Sequence, residues 1–165
     1  MSNLPLEVSN MTLTHTVKGH SFLAGLNDSH VAKLTALAQE VDFEENELIL
    51  SAREQSKCFY LLLAGSVCVE VSARSYMVCI QALGPGEAFG WSALLDHHDT
   101  LFQVRAREHS RALCIDADDL STALRNDPEL AAEVLRRALK LAACRVQATE
   151  ARLGELCGVR LPKNC

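Results

Sequence analysis

Residues 59–71 read FYLLLAGSVCVEV. The segment from Phe59 to Leu63 is apolar, Gly65 interrupts it, and Val67, Val69 and Val71 then alternate with Cys68 and Glu70. Period-two alternation puts the valines on one strand face, and a glycine between two such runs supplies the backbone freedom of a turn. The same texture extends outward through ELIL (47–50), YMVCIQALG (76–84), FQVRA (102–106) and RALCI (111–115), each bounded by polar or glycine-containing breaks. Short strands at this spacing, with no helices between them, predict a β-sandwich or barrel rather than βαβ units.

Helical periodicity flanks the strands. In FLAGLNDSHVAKLTALAQEV (22–41), Asn27, Asp28 and Ser29 offer caps, and Val31, Leu34, Ala38 and Val41 recur at helical spacing, predicting a helix through Val41. After Ile115, Asp116 or Asp118 caps a short helix, and Pro128 suits the first turn of a long one. Within that helix Leu135, Leu139, Ala142, Val146, Thr149, Leu153 and Leu156 are separated by alternating steps of four and three, the spacing of a two-stranded coiled-coil seam. Leu130, Val134 and Leu141 fall on other positions and are expected to pack the helix on the barrel. The alternative is a helix that covers both faces on its own domain. The expected organisation is a loosely attached arm over 1–20, a barrel with its N-terminal helix over 21–126, a dimerisation helix over 127–158 and a tail over 159–165.

A length of 165 residues with 48% hydrophobic residues fits one domain with a real core plus a terminal helix. A net charge of −5 lacks the basic footprint that a nucleic-acid backbone demands, so no nucleic acid is expected to bind this chain alone. No apolar stretch reaches membrane-spanning length and no signal peptide is evident, so a cytoplasmic protein without membrane contact is expected. Seven cysteines, without a Cys-x-x-Cys pair, read as reduced, packed thiols. Asp96, His97, His98 and Asp99 tempt a metal reading, but adjacent histidines in a loop seldom converge on one ion, and no metal site is assigned. His15, His20, His30 and His109 are scattered and expected to be exposed, and no nucleophile–base ordering supports catalysis.

The order helix, short strands, half-helix, strand pair, long helix resembles the cyclic-nucleotide-binding domain, the sensor half of catabolite-activator-type bacterial regulators. FLAGL (22–26), NELIL (46–50), FYLLLAGSVCVEV, LGPGEAFGWSALL (83–95) and Arg105-Ala106 carry the resemblance, which spans about residues 22–150. It implies a mainly β fold with flanking helices, an antiparallel β-roll or jelly-roll barrel followed by a long C-terminal helix, and a phosphate cassette of the form Phe-Gly-Glu-x-Ala-Leu followed, after a loop, by Arg-Ala. In that pattern backbone N–H groups and the arginine neutralise a cyclic phosphate, and the glutamate takes the ribose hydroxyl.

Here Phe89, Gly90, Ala93 and Leu94 match, with Ser92 at the variable position, but Trp91 stands in the glutamate slot and Thr100-Leu101 in the Arg-Ala slot. Trp91 either fills the sugar site or offers a stacking face. Thr100, Phe102, Val104 and Ala106 share the inward strand face, so Arg105 and Arg107 are expected to point out as solvated charges; a shifted register would instead bring one of them to a ligand. Losing a buried charge partner costs roughly 2–5 kcal/mol, a thirtyfold to several-thousandfold loss of affinity, so tight binding of cyclic mononucleotides is not expected. Arg53, where the family often has glycine, and Asn46, also at a common glycine position, are further departures.

The reading is a non-catalytic regulatory module that binds a cyclic nucleotide or another anionic small effector in an altered pocket. Phe89, Gly90, Trp91, Ser92, Ala93, Thr100 and Thr149 are the pocket candidates. The signal passes through a homodimeric C-terminal helix, with a partner protein as a further output. The alternatives are a ligand-free dimerisation or docking scaffold and a metal-dependent cupin-like enzyme. The chain stops at GVRLPKNC (158–165), so a helix-turn-helix reader is not expected within it.

Overall fold

The computed structural model describes residues 17, 19–95 and 99–158. Helix α1 (Asp28–Leu37) leads into eight strands: β1 (Ala38–Phe43), β2 (Leu48–Leu50), β3 (Cys58–Ala64), β4 (Val67–Ser72), β5 (Met77–Leu83), β6 (Ala88–Phe89), β7 (Phe102–Ala106) and β8 (Ser110–Asp116). Helices α2 (Ala117–Asn126) and α3 (Pro128–Leu156) close the chain. The strands form two antiparallel four-stranded sheets, ordered β1-β8-β3-β6 and β2-β7-β4-β5. This is a β-roll followed by a long helix.

Period-two alternation divides the core. Leu62, Phe89, Ala112 and Phe43 meet Val67, Val69, Leu83, Val104 and Ala106 between the sheets. On the opposite face of the first sheet Phe59, Leu61, Leu113 and Ile115 pack against Phe22, Leu23, Val31, Leu34, Leu120, Leu130 and Val134. The β3–β4 hairpin depends on Gly65, whose φ is +79° and whose place would set a Cβ 2.5 Å from the His109 carbonyl oxygen.

Helix α3 starts where Asp127 accepts the Leu130 N–H at 3.0 Å, with Pro128 in its first turn. Its inner row is Leu130, Val134, Ala138 and Arg145, all buried, with Leu141 half-buried between the last two. Leu135, Leu139, Val146, Leu153 and Leu156 stand exposed on its outer side, Leu139 at 71%. No described residue therefore covers the apolar stripe.

Four expectations need correction. Helix α1 ends at Leu37 rather than running through Val41: Ala38 has extended backbone, and Ala38 and Val41 pair with Ile115 and Ala112 of β8. Tertiary strand pairing overrides the helical spacing there.

The cysteines are not all reduced, because Cys68 and Cys79 form a disulfide across β4 and β5. A bulge between Val69 and Glu70 places Cys79 opposite Glu70, on the face that Cys68 shares by alternation. Cys58, Cys114, Cys144 and Cys157 are free thiols among the described residues.

Two of the histidines expected to be exposed are buried. His20 accepts the Phe22 N–H on its Nδ1 at 3.2 Å, and His30 lies 3.6 Å from Asp127. Val17 is buried as well, so the end of the segment expected to be a loose arm belongs to the helix-side core. His15, Asp96, His97 and His98 lie outside the described residues.

Candidate functional site

β6 ends at Gly90, which turns the chain into a short 3₁₀ segment, Trp91–Leu94. Gly90 has φ +79°, and a Cβ there would lie 2.6 Å from the Cys58 carbonyl oxygen, so only glycine lets the turn lie this close to β3. The Ala93 N–H closes the turn onto the Gly90 carbonyl at 3.0 Å. Facing it, the loop before β7 is tied to the 51–56 loop by the Arg53 N–H, which donates to the Thr100 carbonyl at 2.6 Å. Arg53 holds φ +62° and Asn46 φ +68°. Both keep the left-handed conformation that a glycine takes freely, and for Arg53 this costs about 1–2 kcal/mol.

Between these segments lies a cavity of about 270 Å³. Its apolar wall is aromatic: Tyr60, Phe89, Trp91 and Phe102, with Ile49, Leu50 and Val104. Tyr60 and Phe89 stack at 4.8 Å between centroids. Ser51, Ser56, Ser92 and Thr100 supply hydroxyls, and Glu54, Lys57 and Arg145 supply charge. Five sequence candidates, Phe89, Gly90, Trp91, Ser92 and Thr100, therefore come together. The other two do not line the cavity. Ala93 is buried in the helix-side core, and Thr149 returns its hydroxyl to the Arg145 carbonyl at 2.8 Å, one turn along α3. Trp91 packs its ring against the helix-side core while edging the cavity, so the space beside it stays open.

Arg105 points outward as expected, yet it is no solvated charge. Its Nε donates to buried Glu70 at 3.1 Å and one terminal nitrogen donates to the Asn46 carbonyl at 2.7 Å. Neither Arg105 nor Arg107 lines the cavity.

Two other cations do, exposed Lys57 and buried Arg145, and the sequence reading missed both. Arg145 of α3 is only 9% exposed; its Nε donates to Gln81 Oε1 on β5 at 2.9 Å, and its guanidinium carbon sits 5.7 Å from the centre of the Phe102 ring. Burial pulls its pKa down to about 10, partly offset by the charge of Glu87, so it stays protonated at neutral pH. A signal existed: Arg145 follows Leu141 by four residues and so continues the inner row of the helix.

Beside the cavity, Cys58, Tyr60 and Cys114 share the inner face of the first sheet. Burial, reinforced by Cys58, pushes the Cys114 thiol up to about 12, and burial likewise raises the Tyr60 hydroxyl. Cys114 is thus a thiol rather than a thiolate at neutral pH and offers no activated nucleophile.

The cyclic nucleotide-binding domain family model matches residues 40–127. Among curated proteins, the CRP-like cAMP-activated global transcriptional regulator of Mycobacterium tuberculosis, in two strains, is 26% identical over 115 residues, covering 68% of this chain. The chain spans 50% of the length of that relative. Among solved structures, a cyclic nucleotide-binding domain from Methylobacillus flagellatus superposes with TM-score 0.74 at 19% identity, over 96% of this chain and 88% of that one. The regulatory subunit of a cAMP-independent protein kinase A from Trypanosoma brucei matches at TM-score 0.67 and 18% identity, over 90% of this chain and 53% of that one. That structure is a variant with Glu-to-Ala, Thr-to-Arg and Val-to-Ala substitutions, bound to cAMP in its A site. The chain belongs to the cyclic nucleotide-binding domain family, a family of regulatory modules rather than enzymes. No helix among the described residues is long and apolar enough to cross a membrane.

Proposed function

We propose that this domain is a sensor whose cavity takes a small effector and whose α3 carries the response to a second copy of the chain. One observation carries the reading: Arg145 makes α3 a wall of the cavity, while Leu139, Val146 and Leu153 of the same helix present an uncovered apolar row. A ligand that touches Arg145 acts directly on the element that presents the row, which is what a population shift between two packings requires. Covering that row with its symmetry mate is the commonest solution for a soluble chain. Working in the cytoplasm and an output through a partner protein belong to the same reading.

The cassette departures support a specificity other than cyclic mononucleotides. Trp91 brings an indole where a carboxylate would hold a ribose hydroxyl, and Thr100 brings no charge to a phosphate. A second reading, a ligand-free scaffold that only dimerises or docks a partner, is favoured by those same two residues. Calorimetric titration of the purified chain with cyclic AMP, cyclic GMP and cyclic dinucleotides separates the cases. The sensor reading expects the mononucleotides to bind no tighter than high micromolar. Tight cyclic AMP binding overturns the specificity argument.

A further inference from the structure

Arg145 is a buried charge whose partners are neutral. Its Nε is committed to the Gln81 amide oxygen, and Phe102 covers the guanidinium with a ring. The nearby carboxylates are otherwise placed. Glu70 is paired with Arg105, Glu87 acts on Arg145 only from beyond ion-pairing distance and accepts the Gly84 N–H at 2.7 Å, and Glu54 lines the cavity without forming an ion pair to Arg145. Among the described residues no carboxylate lies within ion-pairing distance of Arg145. Taking an ion out of water is costly unless an opposite charge meets it, so a fold that carries Arg145 here is relieved by an anion entering the cavity. A guanidinium fork suits a two-oxygen anion, and low local polarity strengthens the contact. Tyr60, Phe89, Trp91 and Phe102 fit a flat apolar body, and a volume of about 270 Å³ admits only a small one.

We propose that the effector is a small planar molecule bearing one carboxylate or phosphate group, and that Arg145 of α3 is the residue that receives this oxyanion. The inference rests on the sensor reading above and makes it specific: the negative charge is read by the helix, not by the strand position that Thr100 occupies. Anion binding and the placement of α3 are then one event.

The test uses pairs of probes with matched bodies, indole-3-acetate against indole-3-acetamide and cyclic AMP against adenosine, titrated by calorimetry into the full chain and into Arg145→Met and Arg145→Lys. In the wild type the anionic member of at least one pair binds about tenfold or more tighter than its neutral mate. Arg145→Met abolishes that ratio and Arg145→Lys keeps part of it. Arg145→Met gives up the Gln81 hydrogen bond together with a buried cation that no carboxylate meets, two opposing effects, so it is expected to stay folded; should it nonetheless fail to fold, the wild-type ratio and Arg145→Lys decide. Preference in the indole pair alone assigns a carboxylate, and in the nucleoside pair alone a phosphate ester. Equal binding of charged and neutral members in the wild type, or a preference that survives in Arg145→Met, overturns the proposal and leaves the sensor reading standing. No saturable binding of any of the four probes by the wild type at 10 mM, about the weakest affinity worth calling specific, overturns both.

Discussion

Arg145 on α3 and Gln81 on β5 are joined by a 2.9 Å hydrogen bond, Nε to Oε1, at the edge of the cavity. Two turns further along, Arg152 Nε donates to the Cys79 carbonyl at 3.0 Å. The long helix is therefore tied to the roll through the strand that also carries the disulfide. Gln81→Leu leaves Arg145 without its acceptor while keeping the volume. The expected cost is about 1–3 kcal/mol in urea unfolding, since the hydrogen bond is charge-assisted. An unchanged midpoint would show that the tether contributes nothing to docking.

Restoring the missing half of the cassette is a second test. Thr100→Arg with Leu101→Ala returns a cation to the strand-side position, and cyclic AMP affinity should rise by about thirtyfold or more. Calorimetry on the double variant reads this directly. No gain would mean that Thr100 does not occupy the arginine slot.

Arg53 holds φ +62° in the loop that donates its N–H to Thr100. Arg53→Gly removes the left-handed penalty of about 1–2 kcal/mol but adds unfolded-chain entropy worth roughly 0.5–1 kcal/mol. A net gain of about 0.5–1 kcal/mol in chemical denaturation is expected. A loss would show that the arginine side chain contributes to the loop more than its backbone costs.

His20 gives the fold a pH dependence. Burial lowers its pKa below the ordinary 6.5, partly offset by the backbone of Glu87 and Leu62. Below 6.5 the unfolded chain takes up a proton that the native site resists, so this contribution is present above 6.5 and is lost as pH falls. Wild-type stability should therefore decline from pH 7 to pH 5 more steeply than that of His20→Gln. Parallel curves would remove His20 from the account.

Most of the roll was legible because strand alternation and hairpin glycine act locally. The failures share a cause, which is that long-range pairing decides them. Ala38 and Val41 continue the helical spacing of α1, yet their backbone is claimed by β8. Cys68 and Cys79 lie on opposite faces by simple alternation in the β4–β5 ladder, and only the bulge at Val69 and Glu70 brings them to one side. At the site, the turn at Gly90 and the place of Thr100 could be read from the cassette, whereas Arg145 lies outside the cassette and was not singled out. Its position on the row of Leu130, Val134 and Leu141 carried the information, but the residue type argued against burial.

The central claim is that α3 is both the wall of the cavity and the surface through which two chains meet. Val146, 56% exposed at the middle of the outer row, is where a charge tests it. Sedimentation equilibrium at tens of micromolar, a range chosen to exceed the dissociation constant of about 1 μM that corresponds to roughly 8 kcal/mol of association, compares the wild type, Val146→Glu and a Gln147→Glu control. The account predicts a dimer for the wild type and the control, and for Val146→Glu the 18.0 kDa of one chain, because two carboxylates would be buried face to face. A wild type that sediments as one chain, or a Val146→Glu variant as dimeric as the wild type, would contradict it.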